Sequence, residues 1–227
     1  LIIGGGIAGV STLYHLVKMG VTDVMLTEKL ELTSGSTWHA AGNLPHFSNS
    51  YNVMKLQQYS IDLYGRLQEE TGQVVDHHPT GAIRLAHTQD RMDEFERVTA
   101  MSDLAGLNLE MVSVQRLEEL YPYLDTTGLL GGMWDPADGH IDPTSVTNAM
   151  AAGAREGGAT IVRNNPVESI TQLADASWEV TTAKGVIYAQ KIVNAAGFRA
   201  NEVAAMIGHQ LPITSMEHQF VVTDNVP

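Results

Sequence analysis

The sequence has no cysteine among its 227 residues, so it can form no disulfide, thiolate metal site or cysteine nucleophile. Basic residues are scarce, because 13 Lys and Arg stand against 26 Asp and Glu, and the formal net charge is -13. Such a charge repels phosphate backbones and anionic lipid, which argues against a nucleic-acid partner. The sequence also lacks an apolar run of the roughly 20 residues that a membrane-spanning helix needs, so we expect a soluble chain. Any redox chemistry must come from a bound cofactor.

Hydrophobic residues, by contrast, make up 44% of the chain and charged residues 17%, which is typical of a globular protein with one large or two interleaved domains. The sequence begins at Leu1 in what reads as a buried strand, and residues 220–223 predict a strand close to the other end. We therefore expect an internal piece of a longer protein. These features do not distinguish a cytoplasmic protein from one of the mitochondrial matrix.

Strands and helices alternate along the sequence. Residues 1–3 predict a strand, residues 8–19 a helix that Gly20 ends, and residues 24–26 a second strand, which together form a βαβ unit. Further helices are expected at residues 51–70, 90–104, 114–120, 143–156 and 201–207, and strands at residues 82–86, 160–162, 167–170, 178–182, 186–188 and 192–195.

Two helices allow more specific expectations. Asp142 can cap the 143–156 helix, because it precedes a proline at the first helical position. The 51–70 helix carries its apolar residues at helical spacing, which predicts one buried face. The residues of that face are Val53, Leu56, Tyr59, Leu63 and Leu67.

The first chemical motif is a glycine turn, residues 4–9, between the first strand and the first helix. Gly4 permits the tight turn, Gly6 lets the backbone approach a pyrophosphate, and Gly9 lets helix and strand pack closely. Taken alone, such a turn also occurs without any ligand. Glu28 follows the second strand about 20 residues later, where an acidic side chain accepts hydrogen bonds from a ribose. This combination favours a dinucleotide site.

The second motif is the histidine loop, residues 34–42, which has small residues around Trp38 and His39. Small residues allow the close approach of a flat ring, which favours a flavin. A neutral imidazole nitrogen can attack the 8-methyl carbon of that flavin and form a covalent tether. A buried, hydrogen-bonded His39 beside a noncovalent cofactor is the alternative, and residue chemistry alone favours it.

Three segments carry a family resemblance: GSTWHAAG at 35–42, DGHIDP at 138–143 and VNAAGF at 193–198. They resemble the dimethylglycine dehydrogenase and sarcosine dehydrogenase family of D-amino-acid-oxidase-like flavoproteins, and the similarity covers essentially the whole chain. The resemblance implies an α/β fold, in which a glutathione-reductase-like, three-layer ββα FAD-binding domain is interrupted by a mixed-sheet substrate domain. We expect residues 1–75 and 138–210 in the FAD-binding domain and residues 76–137 and 211–227 in the substrate domain.

The same resemblance implies that His39 carries covalently linked FAD and assigns further residues around the cofactor. Beside Gly4, Gly6 and Gly9 of the glycine turn, Ile7 and Ala8 would face the diphosphate, and Glu28 and Lys29 would face the adenosine. The flavin side would face Ser36, Thr37, Trp38, His39 and Asn43. The adenine would meet the backbone of Val167, and the phosphates would pass close to Ala195, Ala196 and Gly197.

The implied reaction is oxidative N-demethylation of a small N-methyl amino acid, such as dimethylglycine or sarcosine, by hydride transfer to FAD. Residues 217–220 resemble the family's His-Gln-Tyr segment, with Phe220 in place of tyrosine. His218 is therefore the expected catalytic residue, which takes the ammonium proton or holds the amine in line. A histidine that touches only its strand neighbours is the alternative.

Several parts of the reaction lie outside the sequence. The electron acceptor, an electron-transfer flavoprotein or O2, stays open, and the family's following region would bind tetrahydrofolate. We expect the piece alone to be inactive. Two other functions also stay open, namely an amino-acid oxidase with noncovalent FAD and a noncatalytic flavin-binding subunit.

The sequence departs from the family's pattern after the histidine loop. Asn43 stands where dimethylglycine dehydrogenases usually carry Leu, and residues 44–48 also differ, so the exact substrate stays open. His140 is expected in a turn that leads into the next helix rather than at the pocket. Because His77 and His78 are adjacent on an extended segment, they point opposite ways, and we expect no metal site.

Overall fold

A computed structural model describes residues 1–48 and 50–219. Within them the chain forms two compact units, each assembled from separate stretches of sequence. Unit 1 contains Leu1–Ala41, Leu67–Val75 and the chain from Pro143 onward, and unit 2 contains Gly42–Arg66 and Asp76–Asp142. Residues 42–66, which the sequence places in the FAD-binding domain, belong to unit 2. Residues 211–219, which the sequence places in the substrate domain, belong to unit 1.

Short helices and strands make up most of both units. The helices are α1 (Ile7–Lys18), α2 (Tyr51–Thr71), α3 (Gln89–Ala105), α4 (Val114–Leu120), α5 (Pro143–Glu156) and α6 (Ala200–Ala205). The strands are β1 (Ile2–Ile3), β2 (Met25–Thr27), β3 (Asn43–Leu44), β4 (His77–His78), β5 (Ala82–Ala86), β6 (Glu110–Val112), β7 (Gly131–Asp135), β8 (Gly139–Ile141), β9 (Thr160–Val162), β10 (Val167–Gln172), β11 (Trp178–Thr182), β12 (Gly185–Ala189) and β13 (Val193–Asn194).

Unit 1 is built from two sheets, helices α1, α5 and α6, and the end of α2. Its parallel sheet has the strand order β13-β1-β2-β9, so β1 lies between the strands that come last and second in the chain. A buried cluster with Ile3, Ile170 and Val180 joins this sheet to the antiparallel sheet of β10, β11 and β12. Helices α1 and α5 pack closely, because a Cβ on Gly157 would lie only 2.2 Å from Val17 Cγ1. These elements form the expected FAD-binding fold.

Unit 2 contains two antiparallel sheets, β5-β7-β6 and β3-β8-β4. The first sheet packs with α3 around a core of Ala86, Phe95 and Met133. In the second sheet, His140 of β8 lies opposite both Asn43 and His78. The expectation of a turn at His140 was therefore wrong, because strands on both sides pair with its backbone.

The predicted helices and most of the predicted strands are confirmed, with ends that differ by up to two residues. The sequence pattern missed β3, β4, β6, β7 and β8, because they are two to five residues long and β7 and β8 include glycine. Asp142 as the cap of α5 stays a prediction. The strand predicted at residues 220–223 lies outside the described residues.

The buried face predicted for α2 is wrong in the first half of the helix. Val53, Leu56 and Tyr59 are 42%, 65% and 44% exposed, whereas Met54 is fully buried against Ala105 and Leu107. The helix belongs to unit 2 up to Arg66 and to unit 1 beyond it. A single apolar stripe cannot describe such a helix, because its two halves pack in different units.

A polar cluster is buried in unit 2 just before β8. The His46 peptide N–H donates to the Asp138 carboxylate, and the His46 Nδ1 atom lies 3.6 Å from Asp135 Oδ1. Burial raises the pKa of Asp138 to about 6; the His46 N–H opposes this change and the nearby Asp135 carboxylate adds to it. Asp138 therefore costs the folded state free energy when it ionises.

We expect the Asp138→Asn substitution to stabilise the protein at alkaline pH. The folded-state pKa exceeds the ordinary value of 3.8, so the folded protein holds the proton more tightly and becomes less stable as the pH rises between the two values. Asn keeps an oxygen for the His46 N–H without the charge. We expect a gain of about 1–3 kcal/mol in the free energy of unfolding near pH 8 and little change near pH 4, measured by urea denaturation.

Asp125→Asn is the matched control, because hydrogen bonds from Thr127 lower the pKa of this exposed carboxyl. Removal of that charge should not stabilise the protein at alkaline pH. If the Asp138→Asn protein is less stable than the wild type near pH 8, unit 2 needs Asp138 as an ion and the expectation is wrong.

Candidate functional site

The glycine turn joins β1 to α1 through two close backbone contacts. Gly4 has a φ of 117°, and a Cβ at this position would lie 2.3 Å from the Ala195 carbonyl oxygen. A Cβ on Gly9 would lie 2.0 Å from the Gly4 carbonyl oxygen. Only glycine fits at either position, which confirms the two packing roles that the motif predicts.

The first turn of α1 leaves peptide N–H groups available to a ligand. The Ile7 N–H donates to Thr37 Oγ1 at 3.0 Å, whereas the N–H groups of Gly6 and Ala8 donate to no residue that the structure describes. A Cβ on Gly6 would meet only Thr37 Oγ1, at 3.0 Å, so the space beside Gly6 is otherwise open. Unpaired N–H groups at the start of a twelve-residue helix attract an anion such as a diphosphate.

Glu28 lies at the end of β2, where the backbone orients its carboxylate. The Oε2 atom accepts from the Gly5 N–H at 2.6 Å, and Oε1 accepts from the Leu30 N–H at 2.9 Å. Each carboxylate oxygen keeps a second lone pair that can accept from a ribose hydroxyl. Lys29, the next residue, is exposed. The geometry therefore suits the adenosine side of a dinucleotide.

The histidine loop is fastened to the glycine turn. The peptide N–H of Thr33, the residue before the loop, donates to the Gly5 carbonyl at 3.0 Å, and Thr37 caps Ile7 as described above. Trp38 and His39 are exposed, and their rings meet edge to face with centroids 4.7 Å apart. The loop thus presents two aromatic side chains close in sequence to the residue that caps α1.

The hydrogen bond of His39 fixes the tautomer of its neutral ring. His39 Nδ1 lies 2.9 Å from the Gly35 carbonyl oxygen, which can only accept, so Nδ1 carries the hydrogen. The lone pair of the neutral ring is then on Nε2, which has no partner among the described side chains and backbone groups. The structure does not support the alternative of a buried His39, because this side chain is exposed.

A second turn of small residues, Ala195–Gly197, lies beside the glycine turn. Ala195 donates to the Ile3 carbonyl at 2.8 Å, and Ala196 donates to Asn194 Oδ1 at 3.2 Å. Gly197 has a φ of 58° and begins a short 3₁₀ turn. This alanine turn contacts Gly4 and Gly9 of the glycine turn, because Cβ atoms at those positions would lie 2.3 Å from the Ala195 carbonyl oxygen and 3.2 Å from the Ala195 Cβ.

The other residues expected at the site belong to several different segments of the chain. Ser36 is exposed in the histidine loop, and Val167 begins β10 next to a shift in strand register. Asn43 belongs to β3 of unit 2. His218 is exposed in a segment without helix or strand, in unit 1. The structure therefore brings together the residues expected at the diphosphate, the ribose and the histidine loop.

The sequence pattern missed one supporting pair. Thr27 Oγ1 donates to the Asn165 carbonyl at 2.8 Å, and Asn165 Nδ2 donates back to Thr27 Oγ1 at 3.0 Å. Asn165 Oδ1 also accepts a hydrogen bond from the Lys184 N–H. Asn165 thereby holds the end of the strand that is followed by Glu28. The Asn-Asn-Pro run at 164–166 indicates a turn, but nothing in it indicates a partner 138 residues away.

Two features are absent from the part of the chain that the structure describes. There, no three His, Asp or Glu side chains are grouped so that they could hold a metal ion. No helix within residues 1–48 and 50–219 combines the length and the apolar character needed to cross a bilayer.

Relatives of known function resemble the chain along its whole length. It is 48% identical over 227 residues to mitochondrial dimethylglycine dehydrogenase of Mus musculus, which covers 100% of this chain and 26% of that protein. It is 33% identical over 232 residues to mitochondrial sarcosine dehydrogenase of Homo sapiens, and this alignment covers 100% of this chain and 25% of that protein. It is also 35% identical over 225 residues to the mitochondrial pyruvate dehydrogenase phosphatase regulatory subunit of Mus musculus, and this alignment covers 98% of this chain and 26% of that protein.

A solved structure supports the same fold. The L-proline dehydrogenase from P. horikoshii matches with a TM-score of 0.83 and 28% identity, over 91% of this chain and 55% of that chain. The chain spans about a quarter of the length of the curated relatives named above. Their whole-protein activities are therefore not properties of this chain alone.

The sequence profile of the FAD dependent oxidoreductases named DAO matches residues 1–227. The match includes the glycine turn, the histidine loop and the alanine turn, and it extends through both units. The chain therefore belongs to the DAO family of FAD-dependent oxidoreductases, and dimethylglycine and sarcosine dehydrogenases are among its relatives.

Proposed function

We propose that this chain is the FAD-binding part of an enzyme that oxidatively demethylates a small N-methyl amino acid of the dimethylglycine or sarcosine type. The observation that carries the proposal is the exposed imidazole of His39, whose Nε2 is available for bonding. The identity of 48% to dimethylglycine dehydrogenase and of 33% to sarcosine dehydrogenase supports the substrate class.

In this proposal FAD lies along the edge of unit 1 where β1, β2 and β13 end. The open N–H groups of Gly6 and Ala8 hold the diphosphate, and Glu28 holds a ribose. A long anionic cofactor fits this edge, because the nearby turns contribute hydrogen, methyl and hydroxyl groups rather than bulky side chains. The further contacts proposed are Ile7, Lys29, the backbone of Val167, and Ala195, Ala196 and Gly197.

The flavin is proposed to be tethered through His39 Nε2 to its 8-methyl carbon. The Gly35 carbonyl holds the hydrogen on Nδ1, so the nucleophilic lone pair is directed away from the loop backbone. Ser36, Thr37, Trp38 and Asn43 lie within four residues of His39 in sequence and are proposed to face the flavin side of the cofactor. Unit 2, which begins at Gly42, the last residue of the loop, is proposed to carry the substrate.

FAD, when bound, supplies the acceptor for a hydride from the N-methyl carbon. An ammonium substrate has no nitrogen lone pair to assist that transfer, so it must first lose a proton. His218 is proposed to take this proton or to hold the amine in line, and the support for it is the similarity of residues 217–220 to the family's segment. The exposed position of His218 is compatible with contact to a ligand.

The rest of the reaction is proposed to involve other parts of the protein. The imine product hydrolyses or passes its carbon to tetrahydrofolate bound by a later region. An electron-transfer flavoprotein or O2 then reoxidises the cofactor. The names of the relatives are compatible with a mitochondrial matrix protein, and a bacterial cytoplasmic protein fits the same chemistry.

A noncatalytic flavin-binding subunit is the second candidate function. The identity of 35% to a regulatory subunit favours it, because that relative shows a similar sequence in a protein named for regulation. Steady turnover of dimethylglycine or sarcosine by the isolated full-length protein would exclude this candidate.

The His39→Ala substitution should abolish covalent attachment of the flavin. We expect the flavin of the wild-type full-length protein to precipitate with the protein in acid, and that of the variant to stay in the supernatant. Flavin absorbance of the two fractions measures this difference, and peptide mapping by mass spectrometry locates the adduct. Trp38→Phe keeps the imidazole and its Gly35 hydrogen bond, so this control should retain the covalent flavin.

Two outcomes would contradict this prediction. A flavin adduct on a peptide without His39 would move the tether elsewhere. Wild-type protein that releases its flavin in acid would instead favour the amino-acid oxidase with noncovalent FAD.

The Gly6→Ala substitution should weaken FAD binding without unfolding unit 1. Its Cβ would meet only the Thr37 hydroxyl at 3.0 Å, but it would stand where the diphosphate approaches the backbone. In a His39→Ala background, which makes the affinity measurable, we expect the Kd for FAD to rise about 10- to 100-fold, the effect of losing one or two hydrogen bonds to a charged group. Fluorescence titration of the apoprotein with FAD measures the change.

Gly35→Ala is the matched control, because its Cβ would lie 3.8 Å from Phe198 Cε1, an ordinary contact. This variant should bind FAD with nearly the wild-type affinity. Equal affinities for the Gly6→Ala and Gly35→Ala proteins would show that no cofactor phosphate lies against Gly6.

A further inference from the structure

Three polar side chains form a row across the small sheet of unit 2. His140 of β8 lies directly opposite Asn43 of β3 on one side and His78 of β4 on the other. Directly opposed residues of antiparallel strands share a face, so the amide and the two imidazoles line the same face of the sheet. All three residues are exposed. We refer to Asn43, His140 and His78 as the imidazole row.

Asp76 orients the imidazole at one end of this row. His78 Nε2 lies 2.6 Å from Asp76 Oδ1, and because an ionised carboxylate only accepts, Nε2 carries the hydrogen. The lone pair of the neutral ring is therefore on Nδ1. The His140 ring stacks on the His78 ring, with centroids 4.8 Å apart and planes at 22°. A carboxylate and a stacked ring thus fix both the tautomer and the plane of a half-exposed base.

The backbone holds these residues in register. A Cβ on Gly139 would lie 2.1 Å from the His78 carbonyl oxygen, so β8 can approach β4 this closely only because of the glycine. The Asp142 N–H donates to the Asp76 carbonyl and the Ile141 N–H to the Gly42 carbonyl, each at 2.9 Å. The imidazole row is therefore a rigid part of the sheet rather than a chance meeting of surface side chains.

We propose that His78, oriented by Asp76 and flanked by His140 and Asn43, accepts the proton of the alkylammonium group of the substrate. This inference rests on the proposed function, which supplies both the substrate class and the oxidant, and it leaves to His218 the second of its two proposed roles, holding the amine in line. The ammonium N–H bond breaks, an N–H bond forms at His78 Nδ1, and the electron pair stays on the substrate nitrogen. The Asp76 carboxylate balances the charge of the new imidazolium.

Electrostatics favours a cationic ligand at the imidazole row. With neutral imidazoles the row carries the single negative charge of Asp76, and the chain as a whole has a net charge of -13, so ammonium groups are attracted. The Asp76 carboxylate, 2.6 Å from His78 Nε2, is the anionic partner of the row.

The other titratable groups around His78 leave it as the base. His77 points to the opposite face of the sheet, where burial, and then the charges of His78 and His140, lower its pKa. Asp142, just after β8, bonds through its backbone to Asp76. A neutral His77 does not compete with His78 for the proton at physiological pH.

The sequence limits how far the Asn43 end of the row can lie from the proposed flavin tether. Asn43 follows His39 by four residues, and four residues of fully extended chain span at most about 14 Å.

The first test is the pH dependence of flavin reduction in the full-length holoenzyme, mixed anaerobically with dimethylglycine or sarcosine. In the wild type the limiting rate should rise with pH as a single base loses its proton. His78→Gln should lower that rate about 10²- to 10⁴-fold and remove the rise, because general-base catalysis contributes about this much. Asp76→Asn should also lower that rate, because no carboxylate then holds the hydrogen on His78 Nε2 or balances the charge of the new imidazolium.

The second test uses trimethylglycine, a quaternary ammonium that has no proton to lose and no lone pair to support hydride transfer. Its Kd, measured from the perturbation of flavin absorbance, should rise about three- to tenfold in the Asp76→Asn protein, because one anionic contact is lost. His87→Gln, a change of an exposed histidine of unit 2 outside the row, should leave both readouts at the wild-type values.

The outcomes separate this inference from the proposed function. If neither amine reduces the wild-type flavin, the proposed substrate class is wrong. If the wild type is reduced but the His78→Gln and Asp76→Asn proteins keep its rate, the imidazole row is not the base. His218→Gln is the rival variant, and loss of the rise in this protein alone would assign the proton to His218. Covalent flavin content confirms the folding of each variant.

Discussion

The contact between the glycine turn and the alanine turn holds the candidate cofactor site together. The Gly4 backbone approaches the Ala195 carbonyl so closely that a methyl group on Gly4 would overlap it. Hydrogen bonds from Thr33 to Gly5 and from Ile7 to Thr37 add the histidine loop to the same turn. A side chain at Gly4 would therefore separate three segments at once, and the unpaired N–H groups of α1 would lose the surfaces that surround them.

Most of this site follows local rules that are visible in sequence. The spacing of Gly4, Gly6 and Gly9 and the acidic residue after β2 indicate a dinucleotide site, because close backbone approach requires glycine and ribose requires an acceptor. Residue chemistry alone favoured a buried His39, and the resemblance to a known family was needed to favour a tether. The tautomer of His39 could not be predicted, since it depends on which carbonyl a turn places beside the ring.

Unit 2 was harder to predict, because its order depends on contacts between distant residues. The His46 N–H and the Asp138 carboxylate are 92 residues apart, and no spacing rule connects them. Strand β7 has two consecutive glycines and lacks an alternating pattern, so only its pairing with β5 and β6 defines it. Alternation did predict that His77 and His78 face opposite ways, but the row that His78 forms with His140 required the register of three strands.

The position of β1 has a consequence for biosynthesis. The parallel partner of β1 on one side is β13, and the paired residues Ile2 and Val193 are 191 positions apart in the sequence. At a ribosomal rate of about 5–20 residues per second, β1 must wait roughly 10–40 s for that partner. During translation the nascent β1–α1–β2 segment exposes an unpaired apolar edge, so a chaperone that shields short hydrophobic strands would raise the yield of native protein.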